Sequence, residues 1–145
     1  MRIVIIGISN KKDKQPFCPT TRSGSYIRIL EQHIQATFSY TNLVTYAPCD
    51  TQGKLRYPTQ QECKDALPHL QQYLDNTQPH LMLCCGKMVY TFIQKHLHTK
   101  IPILYIQHPG YVMRYGNKDT WITNITRSIQ QETRLWRDSN PRPHG

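Results

Sequence analysis

The sequence predicts an α/β fold: a three-layer α/β/α sandwich around a central, mainly parallel, four-stranded sheet. Two observations carry that prediction. Four short runs, "RIVIIGI" at 2–8, "SYTNLVTYA" at 39–47, "HLMLCC" at 80–85 and "IPILYI" at 101–106, read as strands, and a stretch of helical periodicity follows each. The first run is β-branched and continuously apolar, as a strand covered on both faces must be. Regular alternation of strand and helix brings each strand back parallel to its predecessor.

After the strand at 2–8, a polar loop containing Pro16 and Pro19 spans 9–21. Tyr26, Ile27, Leu30, His33 and Ile34 then recur at helical spacing, with Thr21 or Ser23 as the N-cap. The strand at 39–47 leads into a long loop broken by Pro48, Gly53 and Pro58. Cys63, Ala66, Leu67, Leu70, Tyr73 and Leu74 outline the next helix, which Pro68 should kink or divide because it has no N–H and crowds the preceding turn.

The strand at 80–85 ends at Gly86, and Met88, Val89, Phe92, Ile93 and Leu97 form the inner face of the helix beyond it. The strand at 101–106 is followed by a loop at 107–118. A last helix begins near Asp119, with Ile122, Ile125, Ile129 and Trp136 on one stripe. Residues 1–137 make a single domain, and 138–145, polar and proline-containing, are expected to form a flexible tail.

Composition narrows the classes. With 145 residues, 38% of them hydrophobic, the chain suffices for one domain with a proper core. Its apolar runs fall far short of the roughly 20 residues that cross a bilayer, and the N-terminus shows no signal-peptide pattern. A soluble monomer in the cytoplasm or another reducing intracellular compartment is expected. The five cysteines are odd in number and contain no C-x-x-C pair, so no disulfide framework or metal site is expected. The net charge of +9, spread from Arg2 to Arg142, suits a polyanionic partner, although an ordinary basic protein is the simpler alternative.

In parallel folds function gathers beyond the carboxyl ends of the strands. The loops there contain no G-x-G-x-x-G, no P-loop and no G-x-S-x-G elbow. They supply Gly7 with Ile8, Ser9 and Asn10, then Phe17, then Asn42 inside the second strand, then His108 followed by Pro109. An amide, an aromatic face and an imidazole suit a flat heterocycle. Asn42 in an apolar strand is hard to explain structurally, since a buried amide without partners would cost a few kcal/mol, roughly.

Taken in order, "IVIIGISN", "KQPFCPTTRSGSYIRIL", "YTNLVTYAP", the segment from "YPTQQEC" to "VYTFI", and "HPGYVMR" resemble the uracil-DNA glycosylase superfamily over about residues 2–116. The similarity is greatest to the branch whose members normally carry an iron-sulfur cluster. This resemblance implies a uracil-DNA glycosylase-like fold and excision of uracil, or a related damaged pyrimidine, from single- or double-stranded DNA. Phe17 would lie against the flipped base, Asn42 would read its Watson-Crick edge, and His108 would stabilise the departing anion. Gly7, Ile8, Ser9 and Asn10 would border the sugar and the attacking water, with Ser9 or Asn10 orienting it. Pro109, Gly110 and Tyr111 would form a loop entering the minor groove, with Arg114 near phosphates.

Two departures from the family pattern stand out. The branch's cluster needs four cysteines, two of them ahead of the first strand, and Tyr46 stands where another ligand is expected, so no cluster and no other cofactor is expected. "GISNKK" also lacks the carboxylate that some branches use to position water. Two alternatives therefore stay open: a non-catalytic nucleic-acid-binding or interaction protein on the same fold, and a glycosylase for another modified base.

Overall fold

The computed structural model describes residues 1–140. Its elements are β1 (Arg2–Ser9), α1 (Arg22–Gln32), β2 (Thr37–Val44), α2 (Gln60–Thr77), β3 (Leu81–Cys85), α3 (Lys87–His96), β4 (Ile103–Ile106), α4 (Pro109–Tyr115) and α5 (Lys118–Ser139). The strands form one sheet in the order β2-β1-β3-β4, and every pairing is parallel. The α/β sandwich expected from the sequence is therefore the fold, with an all-parallel sheet.

Burial on both faces explains the unbroken apolar runs. On β1, Ile3 and Ile5 face α1, α4 and α5, whereas Val4 and Ile6 face α2 and α3; all four are fully buried. Each such side chain contributes about 1.5–3 kcal/mol by leaving water. The chain moves outward from β1 to β2 and then crosses back to β3, with α1 on one face and α2 on the other. A crevice therefore opens beyond the carboxyl ends of the central strands.

Three local outcomes differ from the sequence expectations. First, α2 runs unbroken through Pro68. The proline ring is on the exposed side, so the carbonyl freed by its missing N–H belongs to exposed Lys64 and can turn to water. A capping box anchors the helix start, with the Thr59 hydroxyl accepting from Glu62 N and the Glu62 carboxylate accepting from Thr59 N.

Second, Pro109, Gly110, Tyr111 and Arg114 lie on the short helix α4 and not in a loop. Proline is well placed at the first helical position, His108 caps the helix, and Pro109 and Val112 bury its inner side. Third, α5 takes in Asp138 and Ser139, which their composition places in the tail. Asn140 ends the helix, its backbone N–H donating to the Trp136 and Arg137 carbonyls and its side-chain amide to Trp136 again. The rest of the expected tail, 141–145, lies outside the described residues.

Candidate active site

A narrow cavity of about 70 Å³ lies beyond the ends of β1, β2 and β4. Gly7, Ile8, Ser9, Phe17, Asn42 and His108 line it, six residues singled out from the sequence although up to 101 positions separate them (Gly7 to His108). Larger grooves exist, including one of about 650 Å³ where Gln60, Phe92 and His96 also meet, but that one is lined by residues of helices α2 and α3 alone. Its place at the strand ends singles out the cavity; size does not.

The strand register determines how Asn42 enters the cavity. Asn42 pairs with Gly7 across the β1–β2 ladder, so both residues face the same side of the sheet. Because Gly7 has no side chain, the Asn42 amide can lie over it; a Cβ there would overlap Asn42 Oδ1 and come within 3.0 Å of Phe17 Cζ. Asn42 is only 6% exposed, and the partner demanded by that burial is Asn10, whose Oδ1 accepts from Asn42 Nδ2 at 2.6 Å.

Phe17 adopts a left-handed backbone, φ +51°, which costs a non-glycine residue about 1–2 kcal/mol. The surrounding packing holds it there. Gly24 at the start of α1 touches the loop so closely that any Cβ would overlap the Cys18 carbonyl, and the Arg28 guanidinium donates to the Phe17 carbonyl at 3.4 Å. The Phe17 ring packs tilted against Tyr40, 6.1 Å between centroids, and forms a wall of the cavity. Strain maintained in this way is a common mark of a functional loop.

His108 is fastened from several sides. The Trp121 indole donates to the carbonyl of Gln107 at 3.0 Å, and a Cβ added to Gly86, which has φ +98°, would stand 3.9 Å from the His108 Cβ. His108 Nδ1 accepts from Gly110 N at 2.9 Å. A Cβ on Gly110 would stand 3.1 Å from that nitrogen, which is why a glycine serves well there. An Nδ1 that accepts carries no proton, so the neutral ring keeps its proton on Nε2. The residue is exposed at the cavity mouth, but protein packed around the ring lowers its pKa, and Lys11 lowers it further. His108 is thus a neutral Nε2–H donor at the rim.

The remaining predicted residues are distributed as follows. Ser9 lines the cavity, whereas the side chain of Asn10 is engaged with Asn42 and with the Thr45 carbonyl, to which its Nδ2 donates at 3.0 Å. Tyr111 and Arg114 are exposed on α4, beyond His108. Lys11, Lys14 and Gln15 also line the cavity and were not singled out from the sequence. The signal is present in "NKKDKQ", a cluster of lysines between a strand and a helix that the net charge alone does not locate. Cys18 lies there too, its pKa lowered chiefly by a hydrogen bond with the Thr20 hydroxyl.

The family model for the uracil DNA glycosylase superfamily matches residues 1–137. The chain belongs to that superfamily. No curated protein sequence matches it. Membership brings with it a glycosylase-type function and DNA as the plausible partner.

Tyr46 and Cys63, the residues nearest to ligand positions of the iron-sulfur branch that the sequence resembles, are engaged elsewhere. Tyr46 uses its hydroxyl to donate to the Glu62 carboxylate at 2.8 Å, and Cys63 is buried in the core beside Leu70 and Leu74. Among the described residues no group of three or more His, Cys, Asp or Glu side chains could hold a metal ion. Four converging thiolates are what such a cluster requires. Among the described residues no helix is long and apolar enough to cross a membrane.

Proposed function

We propose that this member of the uracil-DNA glycosylase superfamily takes uracil, or a related damaged pyrimidine, out of the DNA stack and hydrolyses its N-glycosidic bond. The observation that carries this proposal is the convergence of Phe17, Asn42 and a neutral His108 on one narrow cavity. A flipped pyrimidine would lie against the Phe17 ring, with the Asn42 amide along its Watson-Crick edge. The His108 Nε2–H would donate to O2.

As the N1–C1′ bond breaks, the electron pair leaves with the base, and negative charge develops on its ring and on O2. A donor already aimed at that oxygen stabilises the transition state more than the ground state, typically about 10²–10³-fold per donor. Lys11 and Lys14 add positive potential to the same region. Water adds to C1′ from the Ser9 side, held by the hydroxyl, and its proton passes to solvent. The products are the free base, once it regains a proton, and an abasic site. On α4, Pro109, Gly110 and Tyr111 would support the opened DNA, and Arg114 would contact phosphates.

Incubation with a uracil-containing oligonucleotide, followed by alkaline strand scission, tests the proposal. Cleavage that disappears in His108→Ala is expected. No cleavage of U:G, U:A or single-stranded uracil substrates, or of common modified pyrimidines, refutes it.

One observation favours a second reading, a DNA-binding protein without turnover: no Asp or Glu lines the cavity. That reading predicts salt-sensitive DNA binding that Asn42→Ala and His108→Ala leave unchanged, with no cleavage by any variant.

A further inference from the structure

We infer that Asn10 is a positioning residue that decides which way Asn42 presents its amide, and hence which pyrimidine edge the cavity accepts. This inference rests on the glycosylase proposal for the meaning of the selectivity, though not for the hydrogen-bond chain itself.

The chain starts at the Thr45 carbonyl, which can only accept. Asn10 must therefore turn its Nδ2 toward it, at 3.0 Å, and this leaves Asn10 Oδ1 as the atom facing Asn42. An oxygen facing Asn42 admits only the Nδ2 end of that amide, at 2.6 Å. A flip of Asn42 would place two oxygens at that separation, and a compensating flip of Asn10 would place its oxygen against the Thr45 carbonyl. One backbone acceptor thus sets both amides. The main chain holds the arrangement as well, with Asn10 N donating to the Tyr46 carbonyl at 3.3 Å.

Asn42 Oδ1 is thereby left on the Gly7 and Phe17 side, where it accepts no hydrogen bond from any described residue and does not count among the buried unpartnered atoms. It is an open acceptor in the cavity. A base that offers a ring N–H at that point, as uracil does at N3, completes it. Cytosine offers an unprotonated ring nitrogen there, and two acceptors would face each other. A polar site that leaves the wrong ligand unpaired discriminates more strongly than an apolar one. Without Asn10 both orientations of Asn42 become available, and the flipped one suits cytosine.

The test measures excision of uracil and of cytosine from matched single-stranded oligonucleotides, together with the side-chain amide NMR signals of Asn42. Asn10→Ala should cost uracil excision only a few-fold, since a fraction of the Asn42 amides still points the right way. It should lower the uracil-over-cytosine preference at least tenfold and shift the Asn42 amide signals. Asn10→Asp sets a carboxylate oxygen against the Thr45 carbonyl, which costs stability, but still offers an acceptor to Asn42 Nδ2, so it should keep the preference. A merely structural role predicts equal losses in both variants with the preference unchanged.

An unchanged preference in Asn10→Ala, or unmoved Asn42 amide signals, overturns the inference. If the wild-type protein shows no excision at all, the glycosylase proposal fails. The orientation of Asn42 is still decided by its amide signals in the two variants and by equilibrium binding of free uracil against cytosine.

Discussion

Gly7→Ala adds a single methyl group, and the structure says what that methyl meets. The backbone at Gly7 is ordinary β-strand, so alanine brings no conformational penalty there. The whole effect must come from contact: overlap with Asn42 Oδ1 and a 3.0 Å approach to Phe17 Cζ. Overpacking of a well-packed site costs about 1–3 kcal/mol. For a domain of this size each kcal/mol lowers Tm by about 3 °C, so a fall of roughly 3–9 °C is expected.

The amide that yields to the methyl is also the one that would read the base. A lost bidentate base contact is worth about 1–3 kcal/mol, or roughly 5- to 150-fold in kcat/KM. The assay pairs thermal unfolding with the alkaline-scission time course. Gly53→Ala serves for comparison: it has φ +80° and nothing within 4 Å, so it should lose about 1 kcal/mol to the backbone alone and keep full turnover. If Gly7→Ala shows the wild-type Tm and turnover, the packing of Asn42 over Gly7 is not what holds the cavity.

Further expectations concern titration, capping and thiol reactivity. The pKa of His108 is lowered from 6.5 by burial and then by Lys11, and its neutral form is both the proposed donor and the N-cap of α4. Its contribution to stability is full above about 6.5 and is lost as pH falls through the lower folded value, where a protonated Nδ1 can no longer accept from Gly110. The acid limb of kcat/KM should follow the His108 NMR titration below 6.5; an apparent pKa above that value contradicts the assignment. Thr59→Ala removes the capping hydroxyl of α2 and should cost about 1 kcal/mol. Urea unfolding checks it, with an unchanged midpoint as the contrary result.

Among the cysteines, Cys18 should react first with an aromatic disulfide reagent, because the Thr20 hydroxyl lowers its pKa. Burial pushes Cys84 up to about 12 and Cys85 higher still. Since Cys18 lines the cavity, its modification should block turnover, and the fast phase should vanish in Cys18→Ser. A fast phase that persists in that variant would locate the reactive thiol elsewhere.

Much of the fold was legible because burial on two faces leaves a strong imprint on composition. "RIVIIGI" and "HLMLCC" have no polar face to turn to water, and only a covered parallel strand tolerates that. What composition could not show was helix behaviour governed by single contacts. Pro68 leaves α2 intact because it happens to face solvent, and "HPGYVMRY" forms a helix because the His108 ring caps it, a bond between a side chain and an N–H two residues on. Such bonds depend on rotamers and surroundings that the order of residues does not state.

The sequence by itself determined the family, the order of the four strands and the residue types that could handle a flat heterocycle. Local patterns of burial and spacing suffice for these. Only the tertiary structure decided that Gly7 and Asn42 lie side by side in the ladder, that Asn10 faces Asn42 and the Thr45 carbonyl, that the lysines of "NKKDKQ" border the cavity, and that His108 keeps its proton on Nε2. Each of these is a relation between atoms brought together from distant parts of the chain, or fixed by one hydrogen bond's direction. Strand register and donor-acceptor direction exist only once the sheet has formed.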